Sequence, residues 1–125
     1  MFKYLNVNPL SLKEEDCVTR AISLASGYGY VEIQDKLYYI SKILDCDRLC
    51  ICCYQYLLSD IFKYPKIEAR GMTVREFAEK YPEGTFLIRM DGHLSVLSNG
   101  TVYDIWDCSN EILTDAWYAI RKRAE

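Results

Sequence analysis

The first half of the chain carries apolar residues at helical spacing. In the first stretch, four of them recur at i, i+3, i+4 and i+7: Val18, Ala21, Ile22 and Ala25. This pattern predicts a helix over 16–27, with Asp16 as its N-cap and Gly27 at its end. Similar stripes predict two further helices, over 30–44 and 48–62. We therefore expect the first half of the protein to be helical.

In the second half of the chain, the spacing of the apolar residues changes. Thr73 and Glu76 form a capping-box pattern that predicts a short helix over 74–81. Beyond it the apolar residues alternate, which predicts antiparallel strands over three ranges: 85–90, 93–98 and 101–106. The segment 111–120 is compatible with a strand or a short helix, and we favour a strand. A helical half, about 1–64, followed by a helix-and-sheet half, about 65–125, predicts one α+β domain.

Composition and charge narrow the class of protein. Of the 125 residues, 50% are hydrophobic and 26% are charged, which is typical of a domain with its own core. The net charge of -3 argues against nucleic acid as a partner. The N-terminal residues lack a signal-peptide pattern, and no apolar run is long enough to span a membrane. We expect a cytoplasmic protein with no membrane partner.

Four of the six cysteines are clustered in the sequence: Cys46, Cys50, Cys52 and Cys53. Without an export signal, free thiols are expected rather than disulfides. Cys46, Cys50 and Cys53 fall at i, i+4 and i+7, which predicts one helical face packed in the core. Structural zinc sites usually combine C-x2-C pairs from two segments, so we predict neither a metal nor another cofactor.

Cys17 and His93 are the candidate reactive residues. Cys17 lies in the first turn of a predicted helix, where the helix dipole and unpaired N–H groups stabilise a thiolate. The alternative for Cys17 is a small buried apolar side chain. His93 is the only histidine and opens a predicted strand, so it can act as a general base or be a hydrogen-bonded structural residue.

The Asn99–Gly100 dipeptide predicts a two-residue hairpin turn, which fixes the pairing of the flanking strands. In that register Ser95 faces Asp104 and His93 faces Trp106. Asp104 is then diagonal to His93, a separation that a carboxylate and an imidazole can bridge. A solvated strand aspartate is the alternative, but aspartate is disfavoured inside a strand.

Asp107 is the reserve candidate for orienting His93. It has the opposite parity to Asp104 and lies at the end of the predicted strand. It would therefore point away from His93 unless the turn is longer than two residues.

The order of these residues resembles that of the papain-like cysteine peptidases. A cysteine on a helix is followed by a histidine on a strand, and Asp104-Ile105-Trp106 stands where papain relatives carry Asn-Ser-Trp. The segments 16–22, 92–94 and 103–107 also resemble small papain-like domains encoded by bacteria and their phages. The resemblance implies a papain-like fold, a Cys17-His93-Asp104 triad, and Trp106 shielding the hydrogen bond between His93 and Asp104.

The oxyanion hole departs from the papain pattern. The family places a glutamine six residues before its cysteine, whereas this chain has Ser11 there. The backbone N–H of Cys17 offers one donor, and Ser11, Asn8 or Lys13 are candidates for a second.

These residues together predict a cysteine hydrolase that acts on a peptide or protein through an acyl-enzyme intermediate. A peptidase is the first expectation, although amidases, deamidases and transacylases use the same arrangement of residues. The alternative is a catalytically silent papain-like module that inhibits or docks on a protein partner.

Overall fold

The computed structural model describes residues 1–10 and 16–120. Its helices are α1 (Cys17–Ser26), α2 (Tyr30–Leu44), α3 (Ile51–Gln55), which continues as a π-helical segment (Tyr56–Ile61), and α4 (Val74–Lys80). The helices predicted near 16–27, 30–44 and 74–81 are confirmed. None of the helices in the described ranges is long and apolar enough to cross a membrane.

The third helix differs from the prediction, which placed it over 48–62. The Asp47 carboxylate accepts a hydrogen bond from the Leu49 N–H at 2.8 Å, and the Cys50 N–H donates to the Asp47 carbonyl at 3.0 Å. Side-chain bonds of this kind favour a turn over a helix, so α3 starts only at Ile51.

Within the described ranges, six strands form one sheet: β1 (Phe2–Tyr4), β2 (Lys66–Ile67), β3 (Thr85–Met90), β4 (His93–Ser98), β5 (Thr101–Asp104) and β6 (Leu113–Tyr118). Their order is β1-β5-β4-β3-β6-β2. The favoured strand in 111–120 is confirmed as β6, while β5 ends two residues before the predicted position. The strands of the second half pair antiparallel, as predicted, and β1 at residues 2–4, which was not predicted, adds a parallel pair with β5. This three-residue strand is too short to show a period and depends on a distant partner.

The hairpin between β4 and β5 has the predicted register. Asn99 and Gly100 have φ values of 49° and 78°, as a two-residue hairpin turn with two left-handed positions requires. Ser98 pairs with Thr101, and Val96 pairs with Tyr103. The same alternation puts Ser95 and Asp104 on one face of the sheet, whereas Trp106 lies beyond the end of β5.

Two apolar clusters cover the two faces of the sheet. Helices α1 to α3 pack on one face, which presents Leu87, Leu94 and Trp117, and α4 packs on the other. The architecture is therefore α+β. The contact between α1 and β4 brings the first turn of α1 to the end of the sheet where β4 begins.

The cysteine cluster is not arranged as predicted. Cys50 and Cys52 form a disulfide with their Cα atoms 5.5 Å apart, within the usual range, so the expectation of free thiols is wrong for this pair. Because α3 starts at Ile51, Cys50 is extended and does not share a helical face with Cys46 and Cys53. Cys53 is fully buried, and its thiol donates to the Leu37 carbonyl at 3.2 Å.

Candidate active site

Cys17 and His93 each stand at the start of an element. Cys17 is the first residue of α1, and His93 is the first residue of β4. Their side chains line the same cavity and are close enough for each to shift the pKa of the other. The sequence separates the two side chains by 76 positions, and the packing of α1 on β4 brings them together.

Asp104 contacts the imidazole of His93 directly. Its Oδ2 atom lies 2.7 Å from His93 Nε2 and accepts a hydrogen bond from the Ser95 hydroxyl at 2.5 Å. Its Oδ1 atom accepts from the Ile105 N–H at 2.7 Å. The carboxylate is only 5% exposed, so these donors take the place of water. The structure thus brings Cys17, His93 and Asp104 together, with a hydrogen bond between His93 and Asp104.

The pKa shifts along this chain favour a charge-separated state. Burial acts to raise the pKa of Cys17, but hydrogen bonds with His93 and Leu94 outweigh it and the pKa falls below its ordinary value. Burial acts to lower the pKa of His93, yet Asp104 and Cys17 raise it to about 9. For Asp104, hydrogen bonds from His93 and Ser95 overcome burial and lower the pKa. The shifts at Cys17 and His93 both act in favour of a thiolate beside an imidazolium.

Trp106 and Asp107 follow Asp104 but have different environments. The Trp106 ring lies edge-on to the His93 ring, with centroids 5.0 Å apart and planes at 82°. Trp106 remains 45% exposed, so it packs against the imidazole while much of its own surface faces solvent. Asp107 instead accepts hydrogen bonds from the backbone and hydroxyl of Ser109. The orienting contact to His93 therefore comes from Asp104.

The structure places only some of the predicted oxyanion donors. Ser11 and Lys13 lie outside the described residues. The Asn8 amide is buried and donates to Asp16 Oδ2 at 3.0 Å and to the Tyr30 hydroxyl at 3.4 Å. Since both bonds use the amide nitrogen that a substrate oxygen would need, the prediction of Asn8 as a donor is not supported by this geometry. The backbone N–H of Cys17 stays a candidate.

Sequence reasoning missed Arg20 and misjudged Asp16. The Asp16 side chain makes no cap hydrogen bond to α1 and instead forms an ion pair with Arg20. Arg20 also reaches Asp104, with its Nη2 atom 3.6 Å from Oδ1. The i, i+4 spacing of Asp16 and Arg20 is visible in the sequence and indicates a pair. The link to Asp104 is not visible there, because it joins two distant segments.

A cavity of about 580 Å³ opens beside the thiol and the imidazole. Its walls come from the start of α1, the residues around the start of α3, the β3–β4 hairpin and Trp106. Much of the lining is apolar, including Leu49, Ile51 and Met90, and Arg89 adds a guanidinium that is paired with Asp115 at 2.6 Å. This volume falls within the range of small-molecule and side-chain binding pockets.

The sulfur atoms of Cys46, Cys50 and Cys52 lie within 4.8 Å of one another, close enough to share a metal ion. Two of the three are joined in the disulfide, which leaves Cys46 as the thiol of this group. Metal coordination by all three would therefore require the disulfide to be reduced first.

Comparison with known proteins leaves the site to be interpreted from its own geometry. Set against protein-family models, curated proteins and solved structures, the chain matches none.

Proposed function

We propose that this protein is a cysteine hydrolase with a papain-like fold, which cleaves amide or thioester bonds in a peptide or protein through a Cys17-His93-Asp104 triad. The observation that carries the proposal is the placement of the Cys17 thiol and the His93 imidazole on the wall of one cavity, with the imidazole bonded at 2.7 Å to the buried Asp104 carboxylate. A structural cysteine needs neither a lowered pKa nor an orienting partner for its base.

In the acylation step, the Cys17 thiolate attacks the carbonyl carbon of the bound substrate. A carbon–sulfur bond forms, and the carbonyl electrons move to oxygen. When the tetrahedral intermediate collapses, the bond to the leaving amine or thiol breaks, and the His93 imidazolium donates its proton to that group. The product is a thioester on Cys17.

In the deacylation step, His93 is neutral and accepts a proton from a water molecule that attacks the thioester carbonyl. Collapse of the second intermediate releases the carboxylic acid and regenerates the thiolate beside the imidazolium. Asp104 stays ionised throughout, fixing the imidazole tautomer and stabilising its positive charge. The Cys17 N–H at the start of α1 is a donor to the oxyanion in both steps.

The apolar lining of the cavity favours an acyl group with an apolar or aromatic side chain. Leu49, Ile51 and Met90 exclude water from such a side chain, while the Trp106 ring covers His93 beside it. A peptidase or amidase is therefore the first expectation within the hydrolases.

The test is selective labelling followed by turnover. Incubation with iodoacetamide at pH 6 and mass-spectrometric mapping should show Cys17 alkylated well before Cys46, a half-buried cysteine with a free thiol. Cys17→Ser should abolish that adduct, and Cys46→Ser should leave it unchanged. A panel of peptide amides and thioesters with apolar or charged acyl groups should then be cleaved by the wild type but not by Cys17→Ser, with the apolar members preferred.

Slow, uniform labelling of Cys17 and Cys46 would overturn the hydrolase proposal. It would instead support the alternative of a silent papain-like module that binds a protein partner.

A further inference from the structure

Arg20 is buried between two carboxylates that belong to different parts of the chain. Its side chain is on the third residue after Cys17 in α1, and the residue is only 4% exposed. One nitrogen is paired with Asp16 Oδ1, and the other lies 3.6 Å from Asp104 Oδ1. A guanidinium can bind two carboxylates in this way because its donors form a planar fork.

The two oxygen atoms of Asp104 have separate partners. Oδ2 receives the hydrogen bonds of His93 and Ser95, whereas Oδ1 faces the Ile105 N–H and Arg20. Rotation of the carboxylate would exchange these environments and break the short contact to His93. Donors on Oδ1 therefore help to keep Oδ2 directed at the imidazole.

Arg20 is itself held in place from the opposite side. Asp16 Oδ2 accepts a hydrogen bond from the Tyr30 hydroxyl at 2.7 Å and another from the Asn8 amide at 3.0 Å. Tyr30 is the first residue of α2, and Asn8 belongs to the segment that precedes α1. Contacts from three segments thus fix the carboxylate on which the guanidinium rests.

We propose that Arg20 is a positioning residue of the candidate active site, an inference that rests on the proposed function. Arg20 holds Asp104 against His93, and its buried positive charge stabilises the Cys17 thiolate. Arg20 acts through Asp104 and through its charge, and it requires no contact with the substrate. Asp16 opposes that charge and sets its strength.

The sign of this effect follows from the charges around Arg20. The titratable and charged groups around Arg20 and Cys17 come from the start of α1 and from α2, α3, β4 and β5: Asp16, Tyr30, Tyr54, His93 and Asp104. With Asp16, Asp104 and Cys17 ionised, three negative charges face two positive ones. Loss of Arg20 increases the excess of negative charge in a buried site, which disfavours the thiolate. Loss of the Asp16 charge reduces the excess and favours the thiolate.

Two substitutions therefore have opposite expected effects on one measurement. In the pH profile of Cys17 alkylation, Arg20→Met should move the acid limb to higher pH by about one unit. Asp16→Asn should move it to lower pH by about half a unit, although both variants lose an ion pair and are expected to be less stable. Arg20→Lys retains the charge and should keep the limb close to its wild-type position.

The experiment measures iodoacetamide labelling of the Cys17 peptide between pH 4 and 9, with circular dichroism to verify folding. Arg75→Met is the matched control, since it removes an arginine charge from an exposed position on α4. We expect no shift for this control.

Shifts of Arg20→Met and Asp16→Asn in the same direction, or no shift in either, would overturn the role of Arg20. If Arg20→Met does not fold, Asp16→Asn decides: a shift to lower pH supports the proposal, and an unchanged limb contradicts it. If wild-type Cys17 shows no selective labelling at low pH, the proposed hydrolase function fails instead, so the two failures are distinguishable.

Discussion

Cys17 and the two core cysteines, Cys53 and Cys108, show how differently one side chain behaves in two regions of this protein. Burial acts to raise the pKa at all three. For Cys53 it raises the pKa to about 11, and for Cys108 to about 12, where the Asp104 charge adds to the effect. At Cys17 the pKa falls instead, because the interaction with His93 outweighs burial. A cationic partner, and not exposure alone, separates a reactive thiol from an inert one.

Removal of His93, the partner of the Cys17 thiol, should have the largest effect on the reactivity of Cys17. In His93→Ala, Cys17 should resemble the core cysteines, and its labelling rate at pH 6 should fall by roughly a hundredfold as the thiolate is lost. Ser98→Ala, at the other end of the same strand, is the control and should retain the wild-type rate. Fast labelling of Cys17 in His93→Ala would show that the thiolate depends on the helix terminus and not on the histidine.

Removal of the Asp104 carboxylate should have the next largest effect on the reactivity of Cys17. Because a negative neighbour stabilises the imidazolium, Asp104→Ala should lower the pKa of His93 from about 9 toward its ordinary 6.5. NMR titration of the single histidine measures this directly, and Cys17 labelling should slow about tenfold.

Asp107→Ala is the control for that prediction, since the Asp107 side chain accepts its hydrogen bonds from Ser109 and not from His93. We expect its His93 titration to match the wild type. A larger effect from Asp107→Ala than from Asp104→Ala would contradict the hairpin register.

In the core, substitution should change stability and leave reactivity intact. Cys53→Ala removes a buried sulfur and its hydrogen bond to Leu37, so the free energy of unfolding should fall by about 1–2 kcal/mol. Cys17 labelling should stay at the wild-type rate. Denaturant unfolding of Cys53→Ala beside Cys46→Ala, a half-buried control, tests this difference, and a loss of Cys17 reactivity in Cys53→Ala would contradict it.

The smallest effect is expected at the Cys50–Cys52 disulfide. Reduction should change the free energy of unfolding by at most about 1 kcal/mol, because the bond closes a loop with one residue between the cysteines. Addition of a chelator should leave the melting temperature unchanged. A large drop with either reagent would show that the cluster of Cys46, Cys50 and Cys52 is a structural site.

Local patterns in the sequence determined much of the secondary structure and the placement of Asp104 beside His93. The Asn99–Gly100 turn admits one favoured geometry, so the register that puts Asp104 diagonal to His93 was predictable over a few residues. The stripe of α1 and the capping box of α4 were equally local. Each of these depends on backbone preferences within about ten positions, which a sequence displays directly.

Only the tertiary structure decided which distant groups meet. The parallel pairing of β1, the link from Arg20 to Asp104, and the contacts of Asn8 with Asp16 and Tyr30 all join separate segments. The sequence pattern at Asp16 indicated a helix cap, but the buried carboxylate instead binds a guanidinium. In a buried site, satisfying every charge and polar atom outweighs the local preference of one side chain.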